Sequence, residues 1–190
     1  MSKIGKGKLV IGLVGPGGSG KDTVSSYLKK RYGAEEFRFS FFLVETLKFF
    51  NLEVSRDNST WLANTLRHRF GRDVLTRALE KKIEDLSQSK IVVINGIRLP
   101  SDYKFLRSFE DNTLVALEVP VKTRWERVAK RKEKTDDRVS FTEFKKQTST
   151  KNEKYIPALM NKADFIIDNG GGRAKMKKEV DKMMTQLLRK

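Results

Sequence analysis

Lys21 stands directly behind Gly15-Pro16-Gly17-Gly18-Ser19-Gly20, a run rich in glycine. A cation at that spot and glycines at that density suit the holding of a phosphate chain. Glycines let the backbone curl until several N–H groups face one anion. A helix starting near Gly20 adds its positive dipole end, and Lys21 adds a full charge. The spacing Gly15-x-Gly17-x-x-Gly20 also fits a dinucleotide turn, but such a turn has no need of a lysine after its last glycine. Gly15-x-x-x-x-Gly20-Lys21 is therefore read as a phosphate-binding P-loop. Asp22 stands where Ser or Thr is usual, and Thr23 follows one place later. Asp22 could hold Mg²⁺ through an oxygen, directly or by way of water. It is also the kind of acid that a helix dipole favours at an N-terminus.

A second group is Arg124, Arg127 and Arg131, spaced i, i+3 and i+7. That spacing puts three guanidinium groups on one helix face. Planar guanidinium forks hold phosphate through two bonds, and phosphoryl transfer asks mainly for alignment and positive charge. The same spacing also serves a solvated basic face, since Lys122, Lys130 and Lys132 lie alongside. Trp125 reads as a packing residue of this helix rather than a base-stacking one. His68, the sole histidine, lies between Arg67 and Arg69 with no Cys in the chain to join it, and reads as a surface residue. Phe37, Phe39, Phe41, Phe42, Phe49 and Phe50 read as core.

These residues need elements to position them. The apolar run from Leu9 to Val14 predicts a strand leading into the loop, and Lys21–Tyr32 predicts a helix with Val24, Tyr27 and Leu28 inward and Gly33 as its C-cap. Ser2–Lys8 reads as a flexible basic lead-in. Phe37–Ser40 predicts a second strand, Phe41–Phe50 a buried helix, Thr60–Phe70 a helix capped by Ser59, and Val74–Leu86 an amphipathic helix. Ile91–Ile94 is a β-branched run of the kind found in central parallel strands. A helix from Pro100 to Leu106, a strand from Thr113 to Val119 and a basic helix from Lys122 to Lys132 follow. Short helices at Phe141–Lys146 and Glu153–Met160, a strand at Asp164–Ile167 and a helix at Ala174–Leu188 complete the chain. Strands alternating with helices imply a five-stranded parallel α/β sheet covered on both faces. Its ligand belongs at the carboxyl ends of the strands, where Gly15–Lys21, Ser40, Asn95–Arg98, Arg124–Arg131 and Asn169–Gly172 gather.

The chain has 190 residues and a formal net charge of +16. The charge suits polyanions: nucleotides, coenzyme A or nucleic acid. With no cysteine there is neither a disulfide framework nor a thiolate zinc site. The first residues lack the pattern of a signal peptide, and no apolar stretch is long enough to span a bilayer. A cytoplasmic protein without a membrane partner is the expectation.

Four motifs in this order resemble the small P-loop kinases: nucleoside monophosphate kinases, dephospho-coenzyme A kinase and an archaeal group of related nucleotide kinases. The loop ending Gly20-Lys21-Asp22-Thr23 is similar to that of phage deoxynucleotide kinases. Val92–Arg98 is similar to a strand ending in Asp-Gly-x-x-Arg or Asp-Gly-x-Arg. Val119–Arg131 resembles the strand and basic helix that lead into the lid, and Ala163–Gly170 the final strand and adenine-side loop. The resemblance runs nearly end to end. It implies a three-layer P-loop NTPase fold with a short lid at about residues 132–150 and an acceptor-binding helical region at about 41–88, all within one domain, 1–190.

The resemblance also implies ATP and Mg²⁺ as cofactors. Gly15, Pro16, Gly17, Gly18, Ser19, Gly20, Lys21, Asp22 and Thr23 would cradle the phosphates, with Lys21 on the β and γ groups. Arg127 would lie over the adenine or against the phosphates, near Gly170 and Gly171. Arg131 would reach the transferring group, and Arg138 would close down from the lid. Arg98 and Ser40 would meet the acceptor, and Asp22 and Asn95 would hold the metal. Three residues depart from the family. Asn95 replaces an acid, while Phe41 and Val44 stand where many nucleotide kinases have an acid and an acceptor-binding arginine. Lys48, Arg67 or Arg72 could supply the missing cation. The expected activity is ATP-dependent phosphoryl transfer to a nucleoside monophosphate or similar phosphorylated nucleotide. Dephospho-coenzyme A kinase is one alternative. The other is a nucleotide-binding protein with weak or no kinase activity, RNA-associated through its basic surface.

Overall fold

The computed structural model describes residues 4–86, 90–131, 140–147 and 154–189. Five strands form one parallel sheet: β1 (Ile4–Val14), β2 (Glu35–Phe37), β3 (Ile91–Ile97), β4 (Phe109–Glu118) and β5 (Phe165–Asp168). Their spatial order is β2-β3-β1-β4-β5, so the strand that feeds the glycine loop lies at the centre. Val14 pairs with Ile97 on one side and Ala116 on the other, which brings the carboxyl ends of three strands to one edge.

The alternation of the strands builds two cores. Leu9, Ile11 and Leu13 pack with Val93, Val115 and Leu117 against α1 (Lys21–Tyr32) and α9 (Gly172–Leu187). Val10 and Val14 pack with Val92, Ile94, Leu114 and Ala116 on the opposite face. That face is covered by α4 (Val74–Leu86), α5 (Pro100–Leu106) and α8 (Ile156–Met160). Burial on both faces is why these strands read as continuous apolar runs. A smaller cluster of Leu43, Ala63 and Leu75 joins α4 to α2 (Phe41–Phe49) and α3 (Arg56–Phe70).

Several expectations are corrected. Residues 4–8 belong to β1 rather than to a flexible lead-in. The second strand is Glu35–Phe37, not Phe37–Ser40, because its pairing ends at Phe37–Ile94 and the chain then turns, the N–H of Phe41 bonding to the Arg38 carbonyl at 3.0 Å. The cap of α3 is Ser55, whose hydroxyl accepts the N–H of Asn58 at 3.1 Å, so the helix begins before Ser59. Phe49 and Phe50 are 84% and 64% exposed, and Phe41 is 39% exposed. Only Leu43 and Leu47 of α2 are buried: a helix packed along one side buries a single stripe. Phe37 is buried, and Phe39 and Phe42 pack at the core's edge, as expected. Gly33 caps α1 in the left-handed conformation at φ 67°.

Candidate functional site

The loop from Gly15 to Gly20 leaves β1 and turns back into α1. The N–H of Ser19 bonds to the carbonyl of Pro16 at 3.2 Å, and that of Val24 to Gly20 at 3.1 Å. Lys21 folds over the loop it follows. Its Nζ donates to the carbonyls of Gly15 at 2.7 Å and Pro16 at 3.1 Å, and to Ser19 Oγ at 3.5 Å. A lysine held by carbonyl oxygens is already placed above the curl of the loop, where an anion would take over those contacts.

Two other elements brace this loop. The helix α6 (Val121–Arg131) follows β4, and its first turns carry Arg124 and Arg127 to the loop's flank. Arg124 Nη1 donates to the Gly17 carbonyl at 3.2 Å, and Arg127 Nη2 to the Asn169 carbonyl at 2.7 Å. Asn169, just beyond β5, is 5% exposed and donates its amide to the carbonyl of Ser19 at 2.8 Å. Gly20 must be glycine for two reasons. Its φ is 89°, and a Cβ there would lie 2.4 Å from the Asn169 amide nitrogen. Trp125 packs edge-on against Phe141 at 5.6 Å between ring centres, the packing role its position suggested. Phe141 opens α7 (Phe141–Gln147).

On the opposite flank lies a polar cluster built by register. Glu36 pairs with Val93 in the sheet, so it shares a face with Asn95, and both meet the side of α1 that carries Asp22 and Ser25. Asn95 Nδ2 donates to Asp22 Oδ1 at 2.8 Å and to Glu36 Oε1 at 2.9 Å. Arg38 repeats the bridge, with Nη2 on Asp22 at 2.8 Å and Nε on Glu36 at 2.5 Å. Ser25 Oγ donates to the other Glu36 oxygen at 2.7 Å. Burial works against the charge of Arg38, but hydrogen bonds and attraction from Glu36 and Asp22 outweigh it and hold the guanidinium above its ordinary range. Asp22 and Glu36 supply the hard oxygens that Mg²⁺ takes. Among the described residues no group of three His, Cys, Asp or Glu side chains could hold a metal. An ion here would therefore complete its shell with phosphate oxygens and water.

The remaining expected residues spread around this edge. Arg98 is exposed directly after β3, and its N–H bonds to Asp102 Oδ2 at 3.0 Å. The Asp102 carboxyl is pushed up by burial, which outweighs the opposing pull of the Arg98 and Leu99 N–H groups. Ser40 is exposed at the start of α2, and Thr23 is exposed on α1. Gly170 donates its N–H to Asp168 at 2.8 Å, and Gly171 is the N-cap of α9. Lys48 turns to Glu45 of its own helix at 3.3 Å, and Arg72 is exposed in the turn after α3. The side chain of Arg131, all of Arg138 and the lid outside residues 140–147 lie outside the described residues. Glu36 and Arg38 were not among the expected site residues, whereas Asn169 was expected at this edge as part of Asn169–Gly172 but with no part of its own in bracing the loop. The two flank Phe37 in sequence, but only the pairing of Glu36 with Val93 sets them beside Asn95.

A family model described as an AAA domain matches residues 11–150. The chain belongs to this AAA domain family of P-loop proteins. A UPF0200 protein of Thermococcus kodakarensis is 26% identical over 186 residues, covering 96% of this chain and 100% of the relative. A UPF0200/UPF0201 protein of Archaeoglobus fulgidus is 29% identical over 141 residues, and the match spans 73% of this chain but only 43% of that protein. Among solved structures, shikimate kinase from Acinetobacter baumannii in complex with shikimate has a TM-score of 0.59 at 19% identity, covering 96% of this chain and 94% of that one. TT1252 from Thermus thermophilus has a TM-score of 0.62 at 17% identity, covering 95% and 98%. The fold is that of the small P-loop kinases. No helix among the described residues is long and apolar enough to cross a membrane.

Proposed function

We propose that the protein transfers a phosphoryl group from Mg·ATP to a nucleoside monophosphate or a similar phosphorylated nucleotide. The observation that carries this reading is the bracing of the glycine loop from both flanks. Arg124 bonds to it from α6, Arg127 bonds to Asn169, which in turn bonds to Ser19 of the loop, and Asp22, at the start of α1, joins the carboxylate cluster on the other side. ATP would lie on Gly15–Thr23 with Lys21 on its terminal phosphates. Arg127, Arg131 and Arg138 would supply charge to the transferring group, Asp22 would hold Mg²⁺, and Arg98 would face the acceptor. Such a reaction asks for alignment and positive charge around the moving phosphoryl oxygens. A phosphate acceptor is already anionic and needs no general base. A hydroxyl acceptor, as in dephospho-coenzyme A, would use a carboxylate, and Glu36 keeps that acceptor in consideration.

A second reading is favoured by the exposed rings of Phe49, Phe50 and Trp61 on a chain of net charge +16. Exposed aromatics beside cations stack single-stranded nucleic acid. In this reading the protein binds nucleotide without acting as a kinase and associates with RNA.

One experiment separates the two. ADP release is measured with a panel of monophosphates and dephospho-coenzyme A, for the wild type and Lys21→Ala. Turnover on at least one acceptor, lost in Lys21→Ala, is expected. ATP binding without turnover on any acceptor overturns the kinase reading. Salt-dependent RNA binding that survives Lys21→Ala then supports the second.

A further inference from the structure

Arg38 belongs to none of the motifs that mark the phosphate loop, yet it is joined to that loop's first helical turn. Its fork bridges Asp22 on α1 and Glu36 on β2. The oxygens it binds, Asp22 Oδ1 and Glu36 Oε1, are the two to which Asn95 also donates. The two bridges differ in depth. Asn95 is 7% exposed and holds the carboxylates together from below. The Arg38 side chain is 46% exposed and covers them from the solvent side, with Asp22 at 63% and Glu36 at 23%. Two carboxylates and one guanidinium leave this cluster a net negative charge. It sits at the end of the loop where a P-loop kinase needs a divalent cation.

We propose that Arg38 is a tethered cation stored on Asp22 and Glu36, and that it yields these carboxylates to the divalent ion that arrives with the nucleotide. The proposal rests on the phosphotransfer reading above. Three physical points support it. A hard cation prefers carboxylate oxygens and adds a second positive charge where one is lacking. An ion pair this exposed is weakly held, so the exchange meets little opposition. Asn95 stays in place because it is buried, and keeps the two oxygens converged while their outer partner changes. In this role an amide does what the family's usual acid could not. It donates to both carboxylates, where a third carboxylate would repel them. Once released, Arg38 lies beside the loop at the start of the acceptor region. An anion-binding group is then available there only when the metal is in place.

Mn²⁺ is the probe, with free ion counted by electron paramagnetic resonance on nucleotide-free protein. Arg38→Met is expected to bind Mn²⁺ about tenfold more tightly than the wild type, and Glu36→Gln about tenfold more weakly. In wild-type protein labelled with ¹⁵N, the Arg38 Nε–H resonance is expected to move to the position of a solvated arginine when Mg²⁺ and a non-hydrolysable ATP analogue are added together. Mn²⁺ affinity unchanged in Arg38→Met, or a resonance that stays still with metal and analogue bound, overturns the exchange. If the analogue binds through Lys21 while Mn²⁺ affinity ignores Arg38, the exchange falls and nucleotide binding stands. If Mn²⁺ affinity follows Arg38 and the analogue does not bind, Arg38 guards the carboxylates as proposed and the phosphotransfer reading falls.

Discussion

Replacing Gly20 by alanine tests how the loop is braced. Gly20 has φ 89° and ψ 23°, a left-handed conformation that costs a residue with a Cβ about 1–2 kcal/mol. The added Cβ would also lie 2.4 Å from Asn169 Nδ2 and must push that amide away. The bond lost is the 2.8 Å one to the carbonyl of Ser19, a residue with no exposure. An unsatisfied buried acceptor costs about 1–3 kcal/mol, so Gly20→Ala should destabilise by ~2–5 kcal/mol in all. For a chain of this size each kcal/mol lowers Tm by about 2–4 °C. Asn169→Ala alone removes only the hydrogen bond, for about 1–3 kcal/mol. The two costs overlap, because the methyl group added at position 20 has already displaced the amide. Urea unfolding of both single variants and the double variant measures this directly. The double variant should be close in stability to Gly20→Ala. A double variant weaker by the full cost of Asn169→Ala would mean that the amide does not depend on the absence of a side chain at position 20, and the bracing argument would fail.

Asn95→Asp should separate stability from metal binding. It replaces the donor between Asp22 and Glu36 with a third acceptor, at a cost of about 1–3 kcal/mol in EDTA. Mg²⁺ should restore much of that loss, and a thermal melt indifferent to Mg²⁺ would count against metal binding at these oxygens. Asp164 gives a pH test. Burial pushes its carboxyl up, but Arg107 and the N–H of Leu114 outweigh this and hold it below its ordinary value of 3.8. A carboxyl depressed by folding takes up its proton first in the unfolded chain. Its contribution is therefore full above pH 3.8 and is lost as the pH falls through the lower, folded value. Asp164→Asn should be less stable at neutral pH and lose less on acidification than the wild type. Parallel stability curves below pH 4 would refute the assignment.

Much of the architecture was legible because it follows from local rules. Ile91–Ile94 announced a doubly buried strand by its unbroken run of β-branched residues. Val74–Leu86 and Pro100–Leu106 start and stop in the structure where periodicity and a proline at the helix start put them. Burial was harder to read. Phe49 and Phe50 look like core in any hydropathy count, yet they are exposed, because nothing among the described residues packs over the end of α2. Whether an apolar residue is covered depends on its neighbours in space, and these come from distant parts of the chain.

The candidate site divides in the same way. Glycine spacing and the lysine behind it are enough to mark a phosphate loop, since the backbone conformation and the charge are properties of consecutive residues. By itself the sequence therefore determined the strand, loop and helix of the site and marked the loop as a P-loop. Tertiary structure decided what surrounds the loop. Asn169 reaches Ser19 across 150 positions of sequence, and Asn95 reaches Asp22 across 73. Glu36 and Arg38 acquire meaning only through strand register, which sets Glu36 opposite Val93 and so beside Asn95. A one-residue slip would turn Glu36 to the other face and take the carboxylate away from the loop. Parallel pairing between β2 and β3 is long-range, and no local pattern around Glu36 encodes it.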